Sequence, residues 1–394
     1  MTITALNPNL ARVFAPPVME ARRWLADASF SEDLPLLNVS QAAPVEPPPE
    51  PLIDVMRGAL STAEAHAYGP VLGNTDLRQQ VAMDWSRDYA ATIAPDQVAI
   101  TSGCNQAFCA AVATLCAPGD AVMVPVPWYF NHKMWLDMAG VESRLIPCDD
   151  RMLPDLEAAR AAMDASVKGI LLITPNNPTG AEYPDELMQG FFDLAAEHGA
   201  ALIVDETYRD FHSASGAPHH LFQQPGWEEV LVHLYSFSKV FRLTGHRVGA
   251  MITGEARLAE AEKFLDTVTI CPAQIGQIAA LHGLRHLRAW VAGERAELLH
   301  RRAALEQAFS AHLPDWRILG VGAYFAYVAP PFELASDRLA QRLVAEQALL
   351  ALPGTMFTPP EPRWGGAGQL RLAFANVDAE GLTEMARRLA AFRP

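Results

Sequence analysis

From about residue 52 to 265, short apolar runs alternate with segments of helical periodicity, and that alternation restricts the chain to a small set of folds. Runs near positions 98, 121, 143, 169, 201, 230 and 248 read as strands, while Pro184 to Glu197 and Glu255 to Leu265 read as helices. Strands that are apolar throughout are buried on both faces, so the pattern predicts an α/β architecture with a mainly parallel sheet between helices. Before it lies an arm with a short helical pattern near Pro17 to Ala26, followed by the proline-rich Pro44 to Pro51, which should be extended and stiff. Beyond Cys271 the character changes. Ala-, Leu- and Arg-rich stretches, Ile278 to His312 among them, read as amphipathic helices without strands between them, and Gly322 to Tyr327 and Gln369 to Phe374 supply strands for a smaller α+β domain. At 394 residues the chain exceeds the usual single-core size. The expected division is an arm over 1–45 that returns to the small domain, a large domain over 46–280 and a small domain over 281–394.

The chemically capable residues sit where these strands run out. Ser236-Phe237-Ser238-Lys239 follows the strand near 230, and Arg247 lies in Thr244-Gly245-His246-Arg247-Val248-Gly249. A lysine amine condenses with an aldehyde while a hydroxyl and a guanidinium hold a phosphate dianion, so this set suits pyridoxal 5'-phosphate. Alone, the segment equally fits a solvated loop. Thr174-Pro175-Asn176-Asn177-Pro178-Thr179-Gly180 follows the apolar Gly169 to Ile173, a buried strand entering a turn, and open α/β sheets place ligands at such strand ends. An ordinary turn reads the same way. Ala200 to Val204 leads into Asp205-Glu206-Thr207-Tyr208, a strand ending in a carboxylate with a phenol three residues on; taken alone, that aspartate suits a helix cap, a metal ligand or a charge partner. Val98 to Thr101 enters a helix, Ala107 to Leu115, through Ser102-Gly103-Cys104-Asn105-Gln106, and the unpaired N–H groups of a helix N-terminus attract phosphate.

In this order the four segments resemble those of the fold-type I pyridoxal-phosphate-dependent aminotransferases, the aspartate aminotransferase superfamily. Tyr68 with Gly73 and Leu77-Arg78, and Leu370-Arg371-Leu372-Ala373-Phe374-Ala375, resemble two further motifs of that family, so the likeness runs over roughly residues 35 to 385. It implies a transfer of the amine of an L-amino acid to a 2-oxo acid by ping-pong Schiff-base chemistry on Lys239, which shuttles the Cα proton as base and acid. Asp205 would face the pyridine nitrogen and keep it protonated, and Tyr208 and Asn177 would donate to the ring's 3'-oxygen. Tyr129 would stack on the ring. The backbone N–H groups of Gly103, Cys104 and Asn105, with Ser236 and Arg247, would hold the phosphate, leaving Ser238 as a turn hydroxyl. Arg371 would grip the substrate α-carboxylate through two parallel hydrogen bonds, beside Asn177 and Ala42. Tyr68 would reach the phosphate of a neighbouring subunit, making the protein a homodimer with shared sites. Almost the same residues serve a carbon-sulfur β-lyase or an aminocyclopropane-carboxylate-synthase-like enzyme, because the protein selects its reaction through the Cα bond it aligns. A non-catalytic regulator that binds the cofactor is a third reading, and the arm here is too short for a DNA-binding winged helix.

Two positions depart from the family pattern. Ala42 stands where glycine is usual, at a backbone near the substrate carboxylate, and its Cβ narrows the allowed dihedrals. His246 stands where an apolar or aromatic side chain is common and reads as packing or as a neighbour of Arg247. Trp128, Phe130 and Trp135 point to a pocket for an apolar or aromatic side chain; a dicarboxylate would want another cation, for which Lys133, Arg23 and Arg363 are candidates. A net charge of −15 argues against nucleic acid or anionic membranes. No apolar run approaches the length of a bilayer span, and Met1-Thr2-Ile3-Thr4-Ala5 lacks the features of a signal peptide, so a soluble, cytoplasmic protein is expected. The five cysteines form no CxxC pair, no metal is expected, and Cys109 and Cys116 on an apolar helix read as buried free thiols.

Overall fold

The computed structural model describes residues 6–26 and 28–394. Strand β1 (Leu37–Asn38) belongs to the arm, and β2 (Val98–Thr101), β3 (Ala121–Val126), β4 (Glu142–Pro147), β5 (Val167–Ile173), β6 (Ala201–Asp205), β7 (Leu231–Ser236) and β8 (Gly249–Ile252) form a seven-stranded sheet in the order β2-β8-β7-β6-β5-β3-β4. Neighbours from β4 through β7 are parallel, and only β8 runs against the strands beside it. Every residue of β2, β3, β6, β7 and β8 is buried, the reason these runs read as continuously apolar. Edge strand β4 exposes Glu142 and Pro147 and reads accordingly as more polar.

Helix Cys104–Leu115 begins three residues before the apolar periodicity, because its first turn carries the polar Asn105 and Gln106 at a helix end that needs no apolar face. The proline-rich segment is non-helical only to Pro49. Helix Glu50–Ala59 then starts with Pro51 in its first turn, where a missing N–H costs no hydrogen bond. The stretch read as Ile278 to His312 is two helices, Gln274–His286 and Arg288–His312, meeting at Leu287. Gly322 to Tyr327 spans a hairpin rather than one strand: β9 (Arg317–Gly322) and β10 (Phe325–Ala329) pair antiparallel, with Ala323 at φ 44° in the turn.

Strands β11 (Leu349–Leu350), β12 (Leu352–Pro353) and β13 (Leu370–Ala373) complete the C-terminal part, whose four-stranded sheet runs β12-β13-β10-β9. Leu305, Phe309, Phe325, Leu343, Leu372, Leu382 and Leu389 form its core, separate from the larger core around the central sheet. The arm does return here. Its β1 pairs in parallel with β11, and the Ala373 amide donates to the Val39 carbonyl at 2.7 Å. This pairing carries residues 40–43 across the ends of β5, β6 and β7. Among the described residues no helix is long and apolar enough to cross a membrane. The cysteines are unpaired, and Cys109 and Cys116 are half-buried rather than buried, Cys109 on a flank of helix Cys104–Leu115 and Cys116 in the extended residue just past its end.

Candidate active site

A cavity of about 420 Å³ opens where the C-terminal ends of β5, β6 and β7 meet the start of helix Cys104–Leu115, the arm and β13. It is lined by Cys104, Asn105, Tyr129, Asn177, Asp205, Tyr208, Ser236, Lys239, Arg247, Arg371 and Ala42, so residues from both ends of the chain converge on one space.

Lys239 follows β7 on the short helix Phe237–Val240, which Ser236 caps by accepting from the Ser238 amide at 3.2 Å. Burial, reinforced by the charges of Arg247 and Arg371, pulls the Lys239 ammonium down to about 8. An amine held there is a competent nucleophile near neutrality. Asp205 ends β6 with one carboxylate oxygen accepting from the Thr207 amide at 3.0 Å and the other 3.3 Å from His132 Nε2. Burial acts to raise this carboxyl, yet His132 and Thr207 hold it below the ordinary aspartate value. His132 was not legible as a site residue. Its one signal is a histidine three residues beyond Tyr129 in the first turn of helix Phe130–Ala139, on the face that Tyr129 and Phe108 cover with rings 5.0 and 4.0 Å away.

Arg371 is almost wholly buried on β13, between the rings of Phe325 and Phe357 at 5.1 and 4.9 Å. It donates to Asn177 Oδ1 at 3.0 Å and to the Ser40 carbonyl, while its Nε has no partner, and no carboxylate pairs with it among the described residues. Burial lowers this guanidinium to about 10. A buried cation with a spare donor and no counter-charge among the described residues suits an anionic ligand. Ala42 lines the cavity with a φ outside the positive region, so its Cβ is accommodated without strain.

At the opposite end, Gly103 sits at φ 89°, and a Cβ there would overlap the Arg247 guanidinium, so glycine is needed both for the turn and for the close approach. Arg247 itself is left-handed at φ 48° and donates to the Thr244 carbonyl at 2.9 Å and to Ser238 Oγ at 3.4 Å. Ser238 therefore lines the cavity beside Ser236 rather than serving only the turn, because the tight helix brings its hydroxyl to the arginine. A helix N-terminus, two hydroxyls and an arginine make a dianion site.

Two expected groups lie elsewhere. Tyr68 is 80% exposed and contributes nothing to the cavity of its own chain. Of the three aromatics near Tyr129, only Phe130 reaches the cavity; Trp128 packs under Lys133, and Trp135 meets Phe264 at 6.4 Å. His246 is half-buried beside Arg247 and does not line the cavity.

Residues 31–389 match the family described as aminotransferase class I and II. The chain belongs to this family. Similar proteins include aromatic aminotransferase ISS1 of Arabidopsis thaliana, 28% identical over 88% of this chain and 85% of that protein. Another is valine–pyruvate aminotransferase of Mycobacterium tuberculosis, 28% identical over 97% of this chain and 98% of its own. The fold matches the aspartate aminotransferase of Thermus thermophilus solved with maleate, at a TM-score of 0.88, 24% identity and coverage of 98% and 99% of the two chains. This protein is thus a fold-type I aminotransferase dependent on pyridoxal phosphate, and its cavity suits that cofactor. The Lys239 amine faces a cradle of hydroxyls, guanidinium and helix N-terminus at one end, a buried carboxylate stands beside it, and Arg371, with its Nε lacking a partner, closes the other end.

Proposed function

We propose that this aminotransferase takes amino acids with uncharged, predominantly apolar side chains. The observation that carries the reading is the cation inventory of the cavity: Lys239, Arg247 and Arg371, each with a task of its own. A second substrate carboxylate would find no partner among the described residues of the chain. Lys133 is tied to Asp137, Arg23 to Glu20 at 2.7 Å, and Arg363 lies over Trp364 at 4.8 Å. Pro16, Val18 and Phe130, flanked by the amides of Gln41 and Asn131, are what remains of the lining for a side chain, and burying apolar surface there contributes about 25 cal/mol per Å².

When bound, pyridoxal phosphate supplies an electron sink for the Cα–H bond. The chain does the rest. Gly103, Cys104, Asn105, Ser236, Ser238 and Arg247 would hold the cofactor's phosphate. Lys239 would tether the cofactor through its amine and serve as the base and acid for the proton at Cα. Asp205, beside His132, would hold a positive charge at the pyridine nitrogen. Tyr208 and Asn177 would donate to the ring oxygen, and Tyr129 would stack on the ring. Arg371 orients the α-carboxylate, with Ala42 and Ser40 closing the backbone around it. We place the division of the chain at residues 45 and 280, and we propose a homodimer in which Tyr68 completes the partner's phosphate site. In its support, Tyr68 and Ile270 are both exposed and their chain neighbours meet, the Gly69 amide donating to Cys271 Sγ at 3.4 Å.

A single-turnover screen tests this. The cofactor's visible band should bleach on mixing with methionine, leucine or phenylalanine, and return on adding a 2-oxo acid. Faster bleaching with aspartate or glutamate would overturn the side-chain assignment. Release of ammonia and pyruvate from a cysteine conjugate, with no 2-oxo acid present, would favour the lyase reading instead.

A further inference from the structure

The turn that follows β6 faces two ways. Asp205 and Tyr208 line the cavity, while Glu206, Arg209 and Asp210 enter a buried polar cluster behind it. Glu206 is fully buried, and three side chains from three different parts of the chain converge on its Oε2: the Tyr89 hydroxyl donates to it, His233 Nε2 lies at 2.7 Å and His219 Nε2 at 3.4 Å. Tyr89 closes helix Thr75–Asp88, His233 lies on β7, and His219 precedes the turn at Leu221–Gln223. The backbone is pinned at the same point, since the Glu206 amide donates to the Leu234 carbonyl at 2.9 Å. One residue pair further on, Arg209 lies 4.0 Å over the Trp85 ring and donates to Asp88 at 2.6 Å, and Tyr235 donates to Asp210.

Burying a carboxylate at no exposure costs several kcal/mol unless it is fully partnered. None of the groups around Glu206 touches the cavity, so this cost is not incurred for binding. The arrangement makes sense as a clamp. With Glu206 fixed from one side, the residue before it and the residue two after it have little freedom on the other.

We propose that Glu206, held by Tyr89 and His233 with His219 packed beside them, is a positioning residue that sets the placement of Asp205 and Tyr208 for catalysis. This rests on the roles assigned above to those two residues. Glu206→Gln, which keeps the volume but replaces the carboxylate with a neutral amide that holds the same donors more weakly, should lower kcat roughly tenfold to a hundredfold with KM within about twofold, the signature of misplacement rather than lost binding. Tyr89→Phe removes one donor without touching the charge and serves should the glutamine variant not fold. It should lower kcat in the same way, and the double variant should be no worse than the more impaired single variant, because the two act through one contact. In the cofactor-free protein, amide exchange of the peptide spanning 201–210 should quicken in both variants while peptides from the C-terminal part keep their protection. Wild-type kcat in a folded Glu206→Gln or Tyr89→Phe protein, alongside an impaired Asp205→Asn control, overturns the positioning role alone. An Asp205→Asn protein with normal turnover instead sinks the reading on which it rests.

Discussion

Lys239 is kept in a charge state that its surroundings resist. Its ammonium is pulled from 10.5 to about 8 by burial and by the charges of Arg247 and Arg371, so between those two pH values the unfolded chain binds a proton that the folded chain does not. Stability therefore rises with pH through that window, and below about 8 the buried charge is a standing cost. Lys239→Met should stabilise the cofactor-free protein at pH 7 by about 1–3 kcal/mol and flatten the rise toward pH 10, both measurable by thermal melts in a buffer series. In the wild-type cofactor-free protein, the rate of pyridoxal phosphate capture should climb with pH to a midpoint near 8, because only the neutral amine attacks. Arg371→Lys keeps a charge but loses the fork that serves Asn177, the Ser40 carbonyl and a substrate carboxylate together, and kcat/KM should fall about 10- to 100-fold. Borohydride trapping followed by peptide mapping tests Lys239 directly, since the label should sit there and nowhere else.

At the level of elements, the phosphate end depends on how β2 gives way to helix Cys104–Leu115. Gly103→Ala forces a side chain into a left-handed backbone and against Arg247, so the variant should lose about 1–2 kcal/mol of stability and release its cofactor on dialysis that leaves the wild type loaded. The strands of the central sheet were readable because all but edge strand β4 are largely buried on both faces and carry no competing pattern. Where legibility failed, local signals were ambiguous for a physical reason. Leu287 interrupts two helices without proline or glycine, and Ala323 turns the β9–β10 hairpin in a left-handed conformation that apolar residues rarely adopt. His132 belongs to the same class. Nothing in a helix of mixed polarity tells a histidine that meets a buried carboxylate from one that merely packs until β6 brings Asp205 to 3.3 Å.

For the whole molecule, the exposed Leu60, Tyr68, Met83, Val268 and Ile270 are large apolar or aromatic groups left on the surface of one chain. Sedimentation should report a dimer at micromolar concentration, and Tyr68→Phe should weaken cofactor retention without altering that dimer. A dimer that binds cofactor equally well without the Tyr68 hydroxyl would remove the shared-site proposal. The acidic surface, at a net charge of −15, coexists with a cavity whose three cations are drawn from the short helix after β7, the loop before β8 and β13.

By itself, the sequence determined the sheet, the order of its strands along the chain and the residue types at their ends, because burial and turn chemistry act over a few neighbouring positions. It could not decide which of those ends share a space. That Arg371 reaches Asn177, that Ser40 closes over both, and that Trp128 and Trp135 turn away while Pro16 and Val18 turn in are settled by the packing of distant segments. Such contacts carry no periodicity in a single chain, since their energies depend on partners tens to hundreds of residues away.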